Sequence, residues 1–102
     1  MSAELEILED YEPYVGEDFI LPGDDSGEHP SVAFRLIEAT LIPSNYPDAV
    51  RPAFMLVFRV ASRQVFEQGN YLLTHPRVGE RVIFLVASGQ NAEGTEYCAT
   101  YN

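Results

Sequence analysis

The 102-residue chain is expected to be mainly all-β: one small antiparallel β-sandwich or barrel of about six strands with a short N-terminal helix. Three observations lead there. Six short segments carry apolar residues at alternate positions, which suits strands with one buried face. Proline and glycine clusters fall between them as turn signals. No helical pattern of useful length separates the strands, so a parallel βαβ arrangement is not expected.

Each element follows in order. Residues 4–15 place Leu8, Tyr11 and Val15 at helical spacings among acidic neighbours, predicting a short helix or helical turn that Pro13 limits and Gly16 ends. "EDFILP" (17–22) reads as the first strand, closed by Pro22-Gly23 and an acidic loop. In "VAFRLIEATLI" (32–42), Val32, Phe34 and Leu36 alternate, then the phase slips to Ile37, Ala39 and Leu41. A slip of one residue is what a β-bulge produces, here near Glu38. The loop "PSNYPDAVRP" (43–52) has three prolines and no usable period.

"AFMLVFRVA" (53–61) sets Phe54, Leu56, Phe58 and Val60 toward the core and Arg59 outward. "NYLLTH" (70–75) puts Tyr71 and Leu73 on one face, and "TEYCATY" (95–101) alternates Thr95, Tyr97, Ala99 and Tyr101. "RVIFLVA" (81–87) is apolar on both faces, with Val82, Phe84 and Val86 opposed to Ile83 and Leu85. Such a strand is expected to lie centrally, covered on both sides, or to form an oligomer contact. The β domain thus covers 17–101, and the whole of 1–102 is read as one domain.

Composition narrows function. The net charge of −10, from 16 acidic and 6 basic residues, lacks the basic stripe that phosphate binding demands, so no nucleic-acid partner is expected. Every basic residue is arginine, which removes Schiff-base chemistry and a P-loop lysine. Cys98 is alone and makes no intrachain disulfide. No apolar run approaches the roughly 20 residues that cross a bilayer, and "MSAELEILEDYEP" lacks the basic start of a signal peptide. A cytoplasmic protein without a membrane partner is the expectation.

Candidate sites are few. His75-Pro76-Arg77-Val78-Gly79 has the turn chemistry of a hairpin, with proline setting one φ and glycine supplying a positive one. His75 is therefore a strand-end residue first and a chemical candidate second. The loop Asp24-Asp25-Ser26-Gly27-Glu28-His29 offers oxygen ligands but lacks EF-hand spacing, and two distant histidines with one cysteine make no zinc site. No metal or cofactor is expected. Ser62 and Ser88 lie outside any G-x-S-x-G elbow, so no catalytic residue is assigned and enzyme activity is not expected. Among six tyrosines and no tryptophan, Tyr46 in the proline-rich loop is the best placed for contact. The candidate binding residues are Tyr46, Arg59, Arg63, His75 and Arg77.

Several blocks together resemble a family of short bacterial domains of unknown function. They are "YEPYVGEDF" (11–19), "FMLVFR" (54–59), "QGNYLLTHPRVGE" (68–80), "FLV" (84–86), Gly94-x-x-Tyr97 and "ATYN" (99–102). Members resembling this chain usually read F-R-G-P where it has Phe58-Arg59-Val60-Ala61, and a proline where it has Ala87. The resemblance implies a β-rich protein of no assigned activity, encoded near phage-tail-collar-like proteins, and supplies no catalytic residues. The function expected is a non-enzymatic protein-binding or assembly module, an accessory of phage-tail-like or surface-fibre proteins. Its partner would be a tail-collar or fibre-like protein, or a further copy in a homo-oligomer. The alternative is a small-ligand or glycan-binding β module with a concave pocket lined by tyrosine and arginine.

Overall fold

Six twisted strands, each with one apolar face, wrap round a shared core until the sheet meets itself. The computed structural model describes residues 8–23, 30–42, 53–62 and 65–101. Its strands are β1 (Asp18–Leu21), β2 (Val32–Leu41), β3 (Phe54–Val60), β4 (Gly69–His75), β5 (Gly79–Asn91) and β6 (Gly94–Tyr101). All pairings are antiparallel, in the order β1-β2-β3-β6-β5-β4, and β1 returns to β4 to close a barrel. Of the two architectures the sequence allows, the barrel is the one formed. The β1–β4 seam is short, with Ile20 opposite Thr74 as its register pair.

The expected helix over 4–15 takes a tighter form. Two one-turn 3₁₀ helices, Leu8–Asp10 and Glu12–Tyr14, occupy the described part, and residues 4–7 lie outside it. Pro13 has no amide proton to continue an α-helical ladder, and the chain needs only enough helix to lay Tyr11 over the barrel mouth. Tyr11 is fully buried there, its ring 6.0–6.3 Å from those of Phe19, Phe54 and Tyr101. Phe54 and Tyr101 stack at 4.5 Å beneath it. Gly16 adopts φ 96° just beyond, and its N–H donates to the Leu36 carbonyl. This carries the chain from plug to β1.

The phase slip in 32–42 is a bulge, as the periodicity predicts. Leu36 faces Phe58 and Glu38 faces Val57, leaving Ile37 as the extra residue. In β3 the burial alternates without a break, with Phe54, Leu56, Phe58 and Val60 inside. The core is completed by Phe19, Phe34, Leu36, Leu73, Ile83, Leu85, Tyr97 and Ala99, all 2 % exposed or less. Phe66, in the connection from β3 to β4, caps the second barrel end. Its ring lies 6.0–6.2 Å from those of Phe34, Tyr71 and Tyr97, and its N–H donates to the Tyr97 hydroxyl. Burial, then the neighbouring Tyr97 and Glu67, hold the Tyr71 phenol above its ordinary range.

β5 runs longer than its sequence pattern marks, to Asn91, because a register shift between Ala87 and Gly89 absorbs Ser88 and lets pairing with β6 continue. One expectation is overturned here. β5 is not covered on both sides: Ile83 and Leu85 fill the barrel, whereas Val82, Phe84 and Val86 face outward and are exposed. A single-layer barrel has no second layer to place over its outer face, so a strand can be apolar on both sides and still be half bare.

Candidate functional site

The most distinctive surface feature begins with that bare row. Parity along β5 puts Val82, Phe84 and Val86 outside, at 62 %, 50 % and 37 % exposed. Leu72 of β4, opposite Val82, joins them at 40 %. Val86 is paired with Cys98 on β6, and Cys98 with Val57 on β3. The Cys98 Sγ lies 3.6 Å from the Met55 Sδ. Half-buried sulfur and aliphatic groups therefore continue the exposed row across four adjacent strands. Contiguous apolar surface of this kind marks interaction sites more often than scattered single residues do.

Its electrostatic setting differs from that of the chain as a whole. Residues 1–48 hold twelve of the sixteen carboxylates and one arginine, whereas residues 49–102 hold four carboxylates and five arginines. The strands bearing the apolar face come from the second, nearly neutral part. No carboxylate occurs from Arg81 through Ala92.

A charged row lies farther round the barrel. Asp18, Arg35, Arg59 and Glu96 sit in register across β1, β2, β3 and β6. Directly opposed arginines would repel, but each is matched to its own acids. Arg35 Nε is 3.2 Å from Asp18, and Arg59 reaches Glu93 at 2.9 Å and Glu96 at 3.0 Å. Glu93 occupies the β5–β6 turn, so Arg59 pins that turn to β3. The same row borders a concavity of about 190 Å³ lined by Asp18, Ala33, Arg35, Arg59 and Ala61.

His75 is turned inward, its side chain 3 % exposed. Its Nδ1 accepts the backbone N–H groups of Arg77 (3.1 Å) and Val78 (3.3 Å). The ring proton is thereby placed on Nε2, which donates to Glu17 Oε1 at 2.7 Å. Tyr14 and Phe19 lie against the ring, each 4.8 Å away. A carboxylate does meet this histidine, but both nitrogens are spent within the fold: the ring shapes the hairpin and anchors Glu17. Gly79, at φ 85°, closes that hairpin opposite His75, as the turn reading requires.

His75→Phe is accordingly expected to leave two turn N–H groups without their acceptor. The cost should be about 1–3 kcal/mol in equilibrium denaturation. Glu17→Gln preserves an acceptor for Nε2 and should cost under about 1 kcal/mol; equal losses in the two variants would contradict this role.

Of the five candidate binding residues, the three that are described are not gathered at one place. Arg59 lies on β3 near the end capped by Phe66, while His75 and exposed Arg77 belong to the hairpin at the opposite end. Tyr46 and Arg63 lie outside the described residues, as does the 24–29 loop with His29. The apolar row, which the candidates omit, was visible as double-phase apolarity in 81–87. The Glu17–His75 pair, 58 positions apart, carries no local signal.

The family model of DUF6916, a domain of unknown function, matches residues 7–101. The chain belongs to this family. Among curated proteins and solved structures, none matches the DUF6916 chain. The matched span takes in the plug from its first buried residue, Leu8, through to Tyr101 at the end of β6. The helical turns are thus part of the DUF6916 domain rather than an appendage to it. No helix among its described residues is long and apolar enough to cross a membrane.

Proposed function

We propose that this DUF6916 domain is a non-enzymatic protein-binding or assembly module whose partner docks on the outer face of β4 and β5. One observation carries the reading: Phe84, Val82, Val86 and Leu72 stand exposed on the outer face of two paired strands. Aromatic and aliphatic side chains displayed this way supply the desolvated centre of an interface, which polar rims then seal. A role beside phage-tail or fibre proteins accords with the family resemblance of residues 68–80 and 99–102, and stands on that association alone.

The ligand-binding alternative has less support. The barrel interior is filled with side chains. The concavity beside Arg35 and Arg59 has no tyrosine in its lining, is smaller than the roughly 300 Å³ at which small-molecule pockets begin, and its arginines already hold carboxylates.

The test is Phe84→Asp on the full chain. Because Phe84 is half exposed, the unfolding free energy should change by no more than about 0.5 kcal/mol. Capture of partner proteins from an extract of the producing cells should fall at least about tenfold, the loss usual for an interface anchor. Unchanged capture by a folded Phe84→Asp variant would refute docking at this face.

A further inference from the structure

We propose that the Glu17–His75 pair makes the tip of the β4–β5 hairpin a proton-operated switch: a second proton on the buried ring releases the turn at residues 76–78 while the barrel stays closed.

The chemistry follows from how the two ring nitrogens are used. Neutral His75 satisfies the groups around it, Nδ1 accepting from the Arg77 and Val78 N–H groups and Nε2 donating to Glu17 Oε1. Because Nε2 already carries its hydrogen, a second proton has only Nδ1 to go to. An Nδ1–H accepts nothing, and here it would point at two N–H donors that point back at it. The imidazolium and the present turn are therefore mutually exclusive.

The ring is nonetheless built to take that proton in place. Glu17 Oε1, 2.7 Å from Nε2, becomes the counter-ion of the imidazolium, and an opposite charge at that distance favours the charged form. Tyr14 from the second helical turn and Phe19 from β1 pack on the ring, each 4.8 Å away, and keep it from swinging out. The hairpin adds Arg77 and Glu80, both exposed, and Arg81, whose Nη1 donates to the Glu80 carbonyl. Among the described residues, Glu17 alone pairs with the ring by charge.

With the ring held, the turn is the element that yields. Pro76 and Arg77 are exposed, and Gly79, already at φ 85°, can change its backbone conformation freely. The turn re-forms with the Arg77 and Val78 N–H groups facing water. The surface presented by Pro76 and Arg77 changes shape, while the β4–β5 ladder from Leu73 opposite Arg81 onward persists.

The test is an NMR titration of the ¹⁵N-labelled full chain from pH 8 to pH 5, the span in which histidine side chains ordinarily change charge. As the His75 ring becomes doubly protonated, the Arg77 and Val78 amide signals should move with the same midpoint. Their exchange with solvent, corrected for its intrinsic pH dependence, should quicken about tenfold, the loss of one hydrogen bond. The amides of Leu73 and Ile83 should keep their protection. His75→Asn retains an acceptor at the head of the turn, since asparagine bonds N–H groups two residues on, but has nothing to protonate. Its Arg77 and Val78 amides should be indifferent to pH over the same span. Glu17→Gln removes the counter-charge and should carry the ring and amide midpoints together to lower pH, by about one unit.

A ring that stays neutral to pH 5 overturns the switch, as do amides that ignore its protonation or respond equally in His75→Asn. Ring and amide midpoints that separate in Glu17→Gln do the same. So does loss of protection at Leu73 and Ile83 in step with the tip, which would make the event global unfolding.

Discussion

Gly94→Ala is expected to destabilise the protein by about 4 kcal/mol, combining a strained backbone with overpacking. Gly94 opens β6 at φ 138°, where side-chain-bearing residues are rarely found, because the two-residue turn Ala92-Glu93 delivers the chain there. A Cβ at this position would lie 2.0 Å from the Val60 carbonyl oxygen and 2.9 Å from its carbon. Neither neighbour can move aside cheaply. Val60 ends β3 in register with Thr95, and the Thr95 hydroxyl donates to the Ser62 carbonyl just beyond. The sharp control is Gly69→Ala, where a new Cβ meets nothing within 4 Å and φ is not positive. In denaturant titrations Gly69→Ala should stay within about 1 kcal/mol of the parent, the ordinary cost of altering a strand glycine. A Gly94→Ala midpoint close to that of Gly69→Ala would contradict the close approach.

Tyr11→Ala should cost about 3–5 kcal/mol, the range for removing a large aromatic from a packed site. Its ring, wholly buried, is the piece of the N-terminal segment that touches Phe19, Phe54 and Tyr101 together. Truncation exposes the stacked Phe54–Tyr101 pair to water and removes the reason for the helical turns to stay in place, since isolated single turns have almost no stability of their own. Limited proteolysis should therefore cut before Gly16 in the variant well before it cuts the barrel, and denaturation should shift as stated. Glu12→Ala, exposed on the adjacent turn, should change stability by less than about 0.5 kcal/mol. A Tyr11→Ala protein with parental stability would mean that the turns are ornamental rather than a plug.

What the sequence made legible follows from which forces are local. Strand period, the Glu38 bulge and the His75–Gly79 hairpin all depend on neighbours within a few positions, and each was readable. The outward row at 82, 84 and 86 was also readable as a pattern, but its burial was not. Whether a second apolar face is covered depends on how many layers the fold stacks, a global property. His75 illustrates the same divide. Its turn was written locally in proline and glycine, whereas Glu17, which accepts the hydrogen bond from its Nε2–H, sits on the far side of β1 through β3 in the chain. The division between sandwich and barrel turned on one contact, Ile20 with Thr74, invisible to any window shorter than half the protein.

That contact has a kinetic meaning. Joining residue 20 to residue 74 closes a loop of 54 residues, whose entropic cost is about 3.5 kcal/mol on a flexible-chain estimate, against about 1 kcal/mol for the three-residue turn between β4 and β5. With a seam this narrow, little is returned for that outlay until the plug, β2 and β4 are all in place. The barrel is thus expected to assemble first from its short-range hairpins and to be clasped last. Folding kinetics should then be limited by the docking of the first strand on the fourth, since non-local pairings of this kind belong to the slower-folding small domains.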